Sequence, residues 1–380
     1  MTWPTKKLGE AIGFLKGKKM SVSEEQGLGY EPYIGIDTLR THQYSLFTPE
    51  KDGVKCSKDD VLVVWDGAYA GTVGIEVSGF AGSTVAKVVI REPELGSHFL
   101  RYFWEFNGTK IRSAAQGAAI PHLSKTFINN LKVPLPPLKI QQKIVERLDA
   151  IKKAQELNDK QIELTEELFQ SLLHRELDPK GKNWDFVKLG NVVQKIEYGL
   201  SVSVQNRLDE NGVPILTMAE IENDGQINYQ KTRKISASAN ELKKFKINKG
   251  ELLFNWRNEK ALIGKTGLFE SEKDFIFASF LLRIVTNEKI LPEFLWYWLN
   301  YLRTKNAYLQ YAHLAGNQAS YNANSLQNKI SCPLILIKNQ QKIVEKLSAV
   351  QEYKKKLVEQ REKLKELFES VLHKSMAGKI

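Results

Sequence analysis

The sequence predicts an α+β chain: two pseudo-symmetric mixed α/β domains separated by an antiparallel two-helix coiled coil. Three observations carry this expectation. One eight-residue block and one seven-residue block recur at a common offset of 199 residues. The segment spanning the two blocks, Gln141 to His174, carries the heptad apolar seam of a coiled coil. Outside these segments, short apolar runs punctuated by glycine read as buried strands.

The duplication comes first, because it organises everything else. Gln141-Gln142-Lys143-Ile144-Val145-Glu146-Arg147-Leu148 returns as Gln340-Gln341-Lys342-Ile343-Val344-Glu345-Lys346-Leu347. Leu168-Phe169-Gln170-Ser171-Leu172-Leu173-His174 returns as Leu367-Phe368-Glu369-Ser370-Val371-Leu372-His373, with no residue gained or lost between the blocks. Pro134 and Gly117 match Pro333 and Gly316 at the same offset. Upstream the offset shrinks. Trp3 and Lys7-Leu8-Gly9 answer Trp184 and Lys188-Leu189-Gly190 at 181, Trp65 answers Trp256 at 191, and Phe99-Leu100-x-Tyr102 answers Phe294-Leu295-x-Tyr297 at 195. The chain therefore reads as two copies of a variable globular region followed by a closely repeated tail. The expected boundaries are 1–139 for the first domain, 140–182 for the first spacer helix and linker, 183–338 for the second domain and 339–380 for the second spacer helix.

Each tail reads as a helix. Gln141 to His174 contains neither glycine nor proline. Ile144, Leu148, Ile151, Ile162, Phe169 and Leu172 fall on an alternating four-three spacing, diluted by Gln155, Asn158 and Thr165. The second copy fills the same seam with Ile343, Leu347, Val350, Lys354, Leu357, Arg361, Leu364, Phe368 and Val371. Pro136 and Pro137 define the helix start; Asp178, Pro179 and Gly181 define its end. At 1.5 Å per residue, this segment makes a rod of roughly 50 Å. Such a helix needs a partner stripe, and the other copy supplies one. Antiparallel pairing about a pseudo-two-fold axis sets the globular regions at opposite ends. The alternative is that each helix packs on its own globular region, without a rod. His174 and His373, near the helix ends, suit the negative end of the helix dipole.

Within the globular regions, Asp60 to Trp65 and Glu251 to Trp256 read as buried strands. Gly71, Gly74, Gly79 and Gly82, and then Gly264 and Gly267, mark turns. Phe99 to Phe106 and Phe294 to Leu302 read as short aromatic-rich helices whose rings belong to the core.

Composition narrows the function. The 380 residues are 42% hydrophobic and 10% aromatic, enough for folded cores. A net charge of +11 favours a polyanionic partner. The basic excess is spread over both globular regions and the last helix, whereas residues 141–182 are slightly acidic. Two cysteines exclude a disulfide framework, and no CxxC indicates a zinc site. No apolar leader or run of membrane-spanning length is seen, so a cytoplasmic location is expected. Lys16, Lys18 and Lys19 cluster near Gly13 and Gly17 in a loop-like stretch. Lys231, Arg233 and Lys234 follow Tyr229, and Arg257, Asn258 and Lys260 follow the strand ending at Trp256. Arg40, and Tyr69 in the glycine-rich stretch Gly67–Gly74, complete the candidate DNA-binding residues. Such side chains hold phosphates or read base edges; the alternative for each cluster is a solvated surface. P-loop, HExxH and GxSxG patterns are absent, as are an amino-methyltransferase Asn/Asp-Pro-Pro-Tyr/Phe motif and a persuasive nuclease motif. No catalytic or metal-binding residue is expected.

The run Pro134-Leu135-Pro136-Pro137-Leu138-x-x-Gln141-Gln142-Lys143-Ile144-Val145 opens the first long helix, a weaker copy opens the second, and each globular region begins Trp-x-x-x-Lys-Leu-Gly. This pattern, in order and length over the whole chain, resembles the specificity subunit of a type I restriction-modification enzyme. The second copy departs by having Ile335-Leu336 where the first has Pro-Pro, which would soften the helix start. The resemblance implies that each globular region is a target-recognition domain reading one half of a bipartite asymmetric site in double-stranded DNA. It implies that the helices dock two methyltransferase subunits, with two restriction subunits as optional further members. S-adenosylmethionine, ATP and magnesium would then belong to those partners, and this chain would bind no cofactor. Two alternatives stand beside it: a single-chain restriction or modification enzyme, and a coiled-coil scaffold without a nucleic-acid role.

Overall fold

A computed structural model describes residues 3–115 and 121–379; Gly117, one half of the Gly117/Gly316 match, lies outside them. The chain forms two compact units. The first comprises Met1–Lys160 with Val358–Ile380, the second Gln161–Leu357.

The first unit holds two four-stranded sheets. One has the order Ile12–Lys16, Val85–Ile90, Leu62–Val64, Val73–Gly74 and is antiparallel throughout. The other runs Phe47–Thr48, Glu31–Ile34, Gly79–Ala81, Lys55–Cys56, with Glu31–Ile34 and Gly79–Ala81 parallel. The second unit repeats both orders. Its antiparallel sheet is Val193–Tyr198, Leu281–Thr286, Leu252–Asn255, Thr266–Leu268. Its mixed sheet is Arg233–Ile235, Leu208–Leu216, Phe275–Phe277, Lys246–Ile247, again with one parallel pair. A three-stranded ribbon of Arg257–Glu259, Gln318–Ser320 and His313–Ala315 is also part of the second unit. The duplication thus extends into regions where few residues match.

The central strands are apolar on both faces because both faces are covered. Leu62 and Val64 enter one cluster while Val63 enters another; Leu252 and Phe254 separate from Leu253 in the same way. Each strand is shorter than the sequence predicts. Asp60 accepts from the Ser57 N–H at 2.7 Å, and Glu251 accepts from the Asn248 N–H at 2.9 Å. These acids close turns before the strands begin. The aromatic helices run Ser97–Phe106 and Pro292–Thr304, and Phe99, Tyr102, Trp104, Phe294, Tyr297 and Trp298 are buried core residues. Lys16 closes a strand rather than lying in a loop. Gly17 follows because a Cβ there would meet the Ala81 carbonyl oxygen at 2.2 Å.

The two long helices are Leu138–Leu177 and Ile337–Met376, 40 residues each, or about 60 Å. They begin earlier than the repeated glutamines suggest. The Pro137 carbonyl already accepts from the Ile140 and Gln141 N–H groups, and the Leu336 carbonyl accepts from Asn339 and Gln340. Ile335-Leu336 therefore opens a helix as Pro136-Pro137 does, without the expected softening. Pairing is antiparallel within each unit. In the first, Gln155 donates to the Leu364 carbonyl at 3.2 Å and the Lys152 ammonium lies 5.3 Å from the Phe368 ring centre. In the second, Lys354 meets Glu166 at 2.5 Å and Lys346 meets Glu176 at 3.0 Å.

The seam is buried at Ile144, Leu148, Phe169, Leu172, Ile343, Leu347 and Leu357, and half-buried at Ile151, Ile162, Val350, Leu364, Phe368 and Val371. Packing on the globular cores occurs together with helix pairing. Ile144, Leu148, Phe368 and Val371 join the first unit's core, and Phe169, Leu172, Ile343 and Leu347 join the second's. His174 and His373 lie in the last turns of their helices, each edge-on to a ring, Tyr301 and Phe106 respectively.

Two glutamines explain the most closely repeated block. Gln141 accepts from the Gly96 N–H at 2.9 Å and donates to the Glu94 and Pro136 carbonyls at 2.6 and 2.8 Å. Gln340 accepts from the Leu291 N–H at 2.8 Å and donates to the Lys289 and Ile335 carbonyls at 3.0 and 2.9 Å. Both are buried. Each amide satisfies main-chain groups just before an aromatic helix and at a long helix's first turn. Replacing either by leucine leaves those groups unpaired at a cost of about 2–4 kcal/mol. Urea denaturation of Q141L and Q340L should show this loss; unchanged midpoints would contradict the clamp.

Candidate nucleic-acid interface

In the first unit, the sequence Asp66-Gly67-Ala68-Tyr69-Ala70-Gly71 forms a rigid loop between Leu62–Val64 and Val73–Gly74. Gly67 and Gly71 both adopt positive φ, +102° and +95°, which side chains with a Cβ avoid. Ala70 and Thr72 N–H groups donate to the Gly67 and Tyr69 carbonyls, and Gly67 N–H donates to Pro121. Tyr69 is left exposed at the loop crest. The Arg40 guanidinium sits 4.2 Å from the Tyr69 ring centre, a cation–π stack that joins two of the predicted residues. At the base of the loop, Asp66 takes Lys16 Nζ at 2.6 Å and His122 Nδ1 at 2.5 Å. Burial raises the Asp66 carboxyl, but the hydrogen bonds and charges of Lys16 and His122 outweigh it and hold the group below its ordinary value. Lys18 pairs with Asp52 at 2.7 Å, and Lys19 is exposed.

The second unit arranges its basic residues differently. Lys231 pairs with Glu222 at 2.7 Å, Lys234 donates to the Glu210 carbonyl at 3.1 Å, and Arg233 stands exposed on an edge strand. Arg257 is exposed, with its guanidinium 5.8 Å from the Phe280 ring centre. Asn258, predicted alongside it, turns inward, its Nδ2 reaching Met218 Sδ at 3.5 Å. Lys260 is half-buried, and its N–H donates to the Asn317 carbonyl. Beneath Met218 lies Lys265, buried, its ammonium donating to the Met218 and Ile221 carbonyls at 3.3 and 2.5 Å. Burial lowers the Lys265 ammonium below its ordinary value.

The sequence reading missed Asp66, His122, Lys265 and the His313–Ser320 hairpin. The repeat held a partial signal: Trp65 and Trp256 match, so the residues after them, Asp66 and Arg257, occupy corresponding places. Nothing in the pattern joins Asp66 to His122, which is 56 residues away. Among the described residues, no group of three or more His, Cys, Asp or Glu could hold a metal ion, and no helix is long and apolar enough to cross a membrane.

Comparison with known proteins gives a consistent result. The family model described as the type I restriction modification DNA specificity domain matches twice, at residues 1–167 and 181–366. The type I restriction enzyme MjaVIII specificity subunit of Methanocaldococcus jannaschii is 26% identical, with 100% of this chain and 93% of that protein covered. The S subunit of a type I restriction-modification system from M. genitalium has a similar fold, with a TM-score of 0.62 at 15% identity, covering 99% of this chain and 96% of that one. A chain from a type I R-M system solved for its complex assembly and conformational transition has a TM-score of 0.63 at 20% identity, covering 100% and 98%.

Lys265 anchors the segment that carries Met218 and meets Asn258. Lys265→Met should therefore speed amide exchange across residues 218–227 while leaving Leu252–Asn255 protected. Equal acceleration in both places would show a global rather than a local role.

Proposed function

The chain belongs to the type I restriction-modification DNA specificity family, and from that premise we propose that it is the sequence-specificity subunit of a type I restriction-modification complex. Each globular region is a target-recognition domain reading one half of a bipartite, asymmetric site in double-stranded DNA. The observation that carries this reading is the combination of a shared scaffold with unlike surfaces. Both units repeat the same two sheet orders, yet Asp66 with His122 stands in one where Arg257 with Ser320 stands in the other. Two similar scaffolds with different recognition chemistry select two different half-sites. The candidate contacts are Lys16, Lys18, Lys19, Arg40 and Tyr69 in the first domain. In the second they are Lys231, Arg233, Lys234, Arg257 and Lys260, with Asn258 acting from behind.

The chain itself is non-catalytic in this proposal. The absence of methyltransferase and nuclease motifs supports that reading. Two methyltransferase subunits supply S-adenosylmethionine chemistry, and restriction subunits, where present, supply ATP- and magnesium-dependent cleavage. The long helices offer a docking surface in each unit. Leu157, Leu164, Leu168, Tyr353 and Leu367 are exposed along them, and Leu168 and Leu367 are repeat equivalents. Exposed leucines on a pairing helix suit a further helix better than water.

Exchange of residues 1–139 for another such domain should change one half of the methylated sequence and leave the other intact, as read by sequencing modified bases. A change in both halves would refute independent reading. Leu168→Glu with Leu367→Glu should abolish co-purification with the methyltransferase while leaving Tm within about 2 °C, since exposed substitutions cost little stability. Retained assembly would place docking elsewhere.

A further inference from the structure

The second unit's three-stranded ribbon has a fixed register. Arg257 lies opposite Ser320, which lies opposite His313; Asn258, Ala319 and Leu314 form the next row, and Glu259, Gln318 and Ala315 the third. Side chains alternate between the two faces of a strand. The middle row turns inward at Ala319, a buried core residue, and at Asn258 with its contact to Met218. The outer rows therefore present Arg257, Glu259, Gln318, Ser320 and His313 on the opposite face. All of these are exposed except Ser320, which is half-buried.

The ribbon is also stiff. Gly316 at φ +59° and Asn317 make a two-residue hairpin tip, and the Lys260 N–H ties Asn317 to the third strand. Among the described residues, no carboxylate lies within ion-pair distance of Arg257, and Phe280 supports its guanidinium. A pair of strands about 5 Å apart is narrow enough for the major groove, which is about 12 Å wide and admits a two-stranded ribbon.

We propose that this outward face enters the DNA major groove, with Arg257 and Gln318 as specificity-determining residues for one half-site. The inference rests on the DNA-reading function proposed above and names the parts that carry it. Arg257 offers two parallel donors matching guanine O6 and N7, Gln318 offers the donor and acceptor that match adenine N7 and N6, and Glu259 can accept from cytosine N4. His313, on the outer strand, flanks the groove. The corresponding position in the first unit is built on the same backbone crossing. Leu123 N–H donates to the Trp65 carbonyl as Tyr321 N–H does to the Trp256 carbonyl. There the pair is a half-buried Asp66 and an exposed His122, so the same location carries different chemistry.

The test uses the full-length chain assembled with its methyltransferase partner. The probes are duplexes of the bipartite site found by modified-base sequencing, with single base pairs altered in each half. Arg257→Ala should weaken binding roughly 10- to 100-fold and abolish discrimination at one G·C pair of one half, leaving the other half's discrimination intact. Arg257→Lys should retain the salt dependence yet still lose that discrimination. Gln318→Ala should act likewise at one A·T pair. Equal weakening on every duplex, unrelated DNA included, would mean a phosphate contact and overturn the proposal. Wild-type discrimination in both Arg257→Ala and Gln318→Ala would sink the ribbon alone, whereas a wild-type complex without bipartite preference would sink the proposed function beneath it.

Discussion

Two buried amides hold the architecture together. Gln141 and Gln340 each use one oxygen and both N–H hydrogens to bridge three main-chain groups. A buried amide that meets all its partners is specific as well as stabilising, because any shift in position leaves a group unpaired. The start of each long helix is thereby fixed against the loop that precedes an aromatic helix. Tyr102 and Tyr297, on those aromatic helices, then reach Asp149 at 2.5 Å and Ser348 at 3.1 Å, two turns along the same long helices. A domain anchored at two points on one helix can carry different loops without changing its mounting.

Between the two sheets of each domain, a second repeated device tolerates that variation. Lys87 meets Asp60 at 2.6 Å and donates to the Lys55 carbonyl; Arg283 meets Glu251 at 3.6 Å and donates to the Lys246 carbonyl. Burial raises the Asp60 carboxyl, and the bonds from Lys87 and Ser57 bring it below its ordinary value. The acid closes a turn, the base crosses from one sheet to the other, and the apolar clusters can differ around them. Elsewhere the copies diverge. Val64, in an apolar cluster, corresponds to Asn255, which is fully buried. The acidic Asp66 corresponds to the basic Arg257.

The long helices combine two kinds of partner. Their seam residues meet the other helix and, toward the helix ends, the core of a domain. Two of the polar seam positions are also matched across the helices. Gln155 and Lys354 are repeat equivalents, and each bonds across to the other helix. Lys354 additionally meets Asp224 at 3.2 Å. A polar residue that finds its partner in only one register restricts how two helices align. The diluted seam is thus a specification of pairing as well as a loss of apolar area.

The sequence by itself determined the duplication, the helical tails, their seam, the aromatic core helices and the family resemblance. These are legible because they depend on spacing along one chain: a 199-residue offset, a seven-residue period, an absence of glycine and proline. It also placed Arg40 and Tyr69 among the binding candidates, though not their stacking. Only the tertiary structure decided that Asn258 faces inward while Arg257 faces outward, since a one-residue step on a strand reverses direction and the pattern around Trp256 does not reveal the ribbon. Only the structure joined Asp66 to His122 and assigned Gln141 its three partners. Apart from the Pro136 carbonyl, five residues away, those pairings cross 45 residues or more of chain, and local pattern carries no record of which distant backbone a side chain will meet.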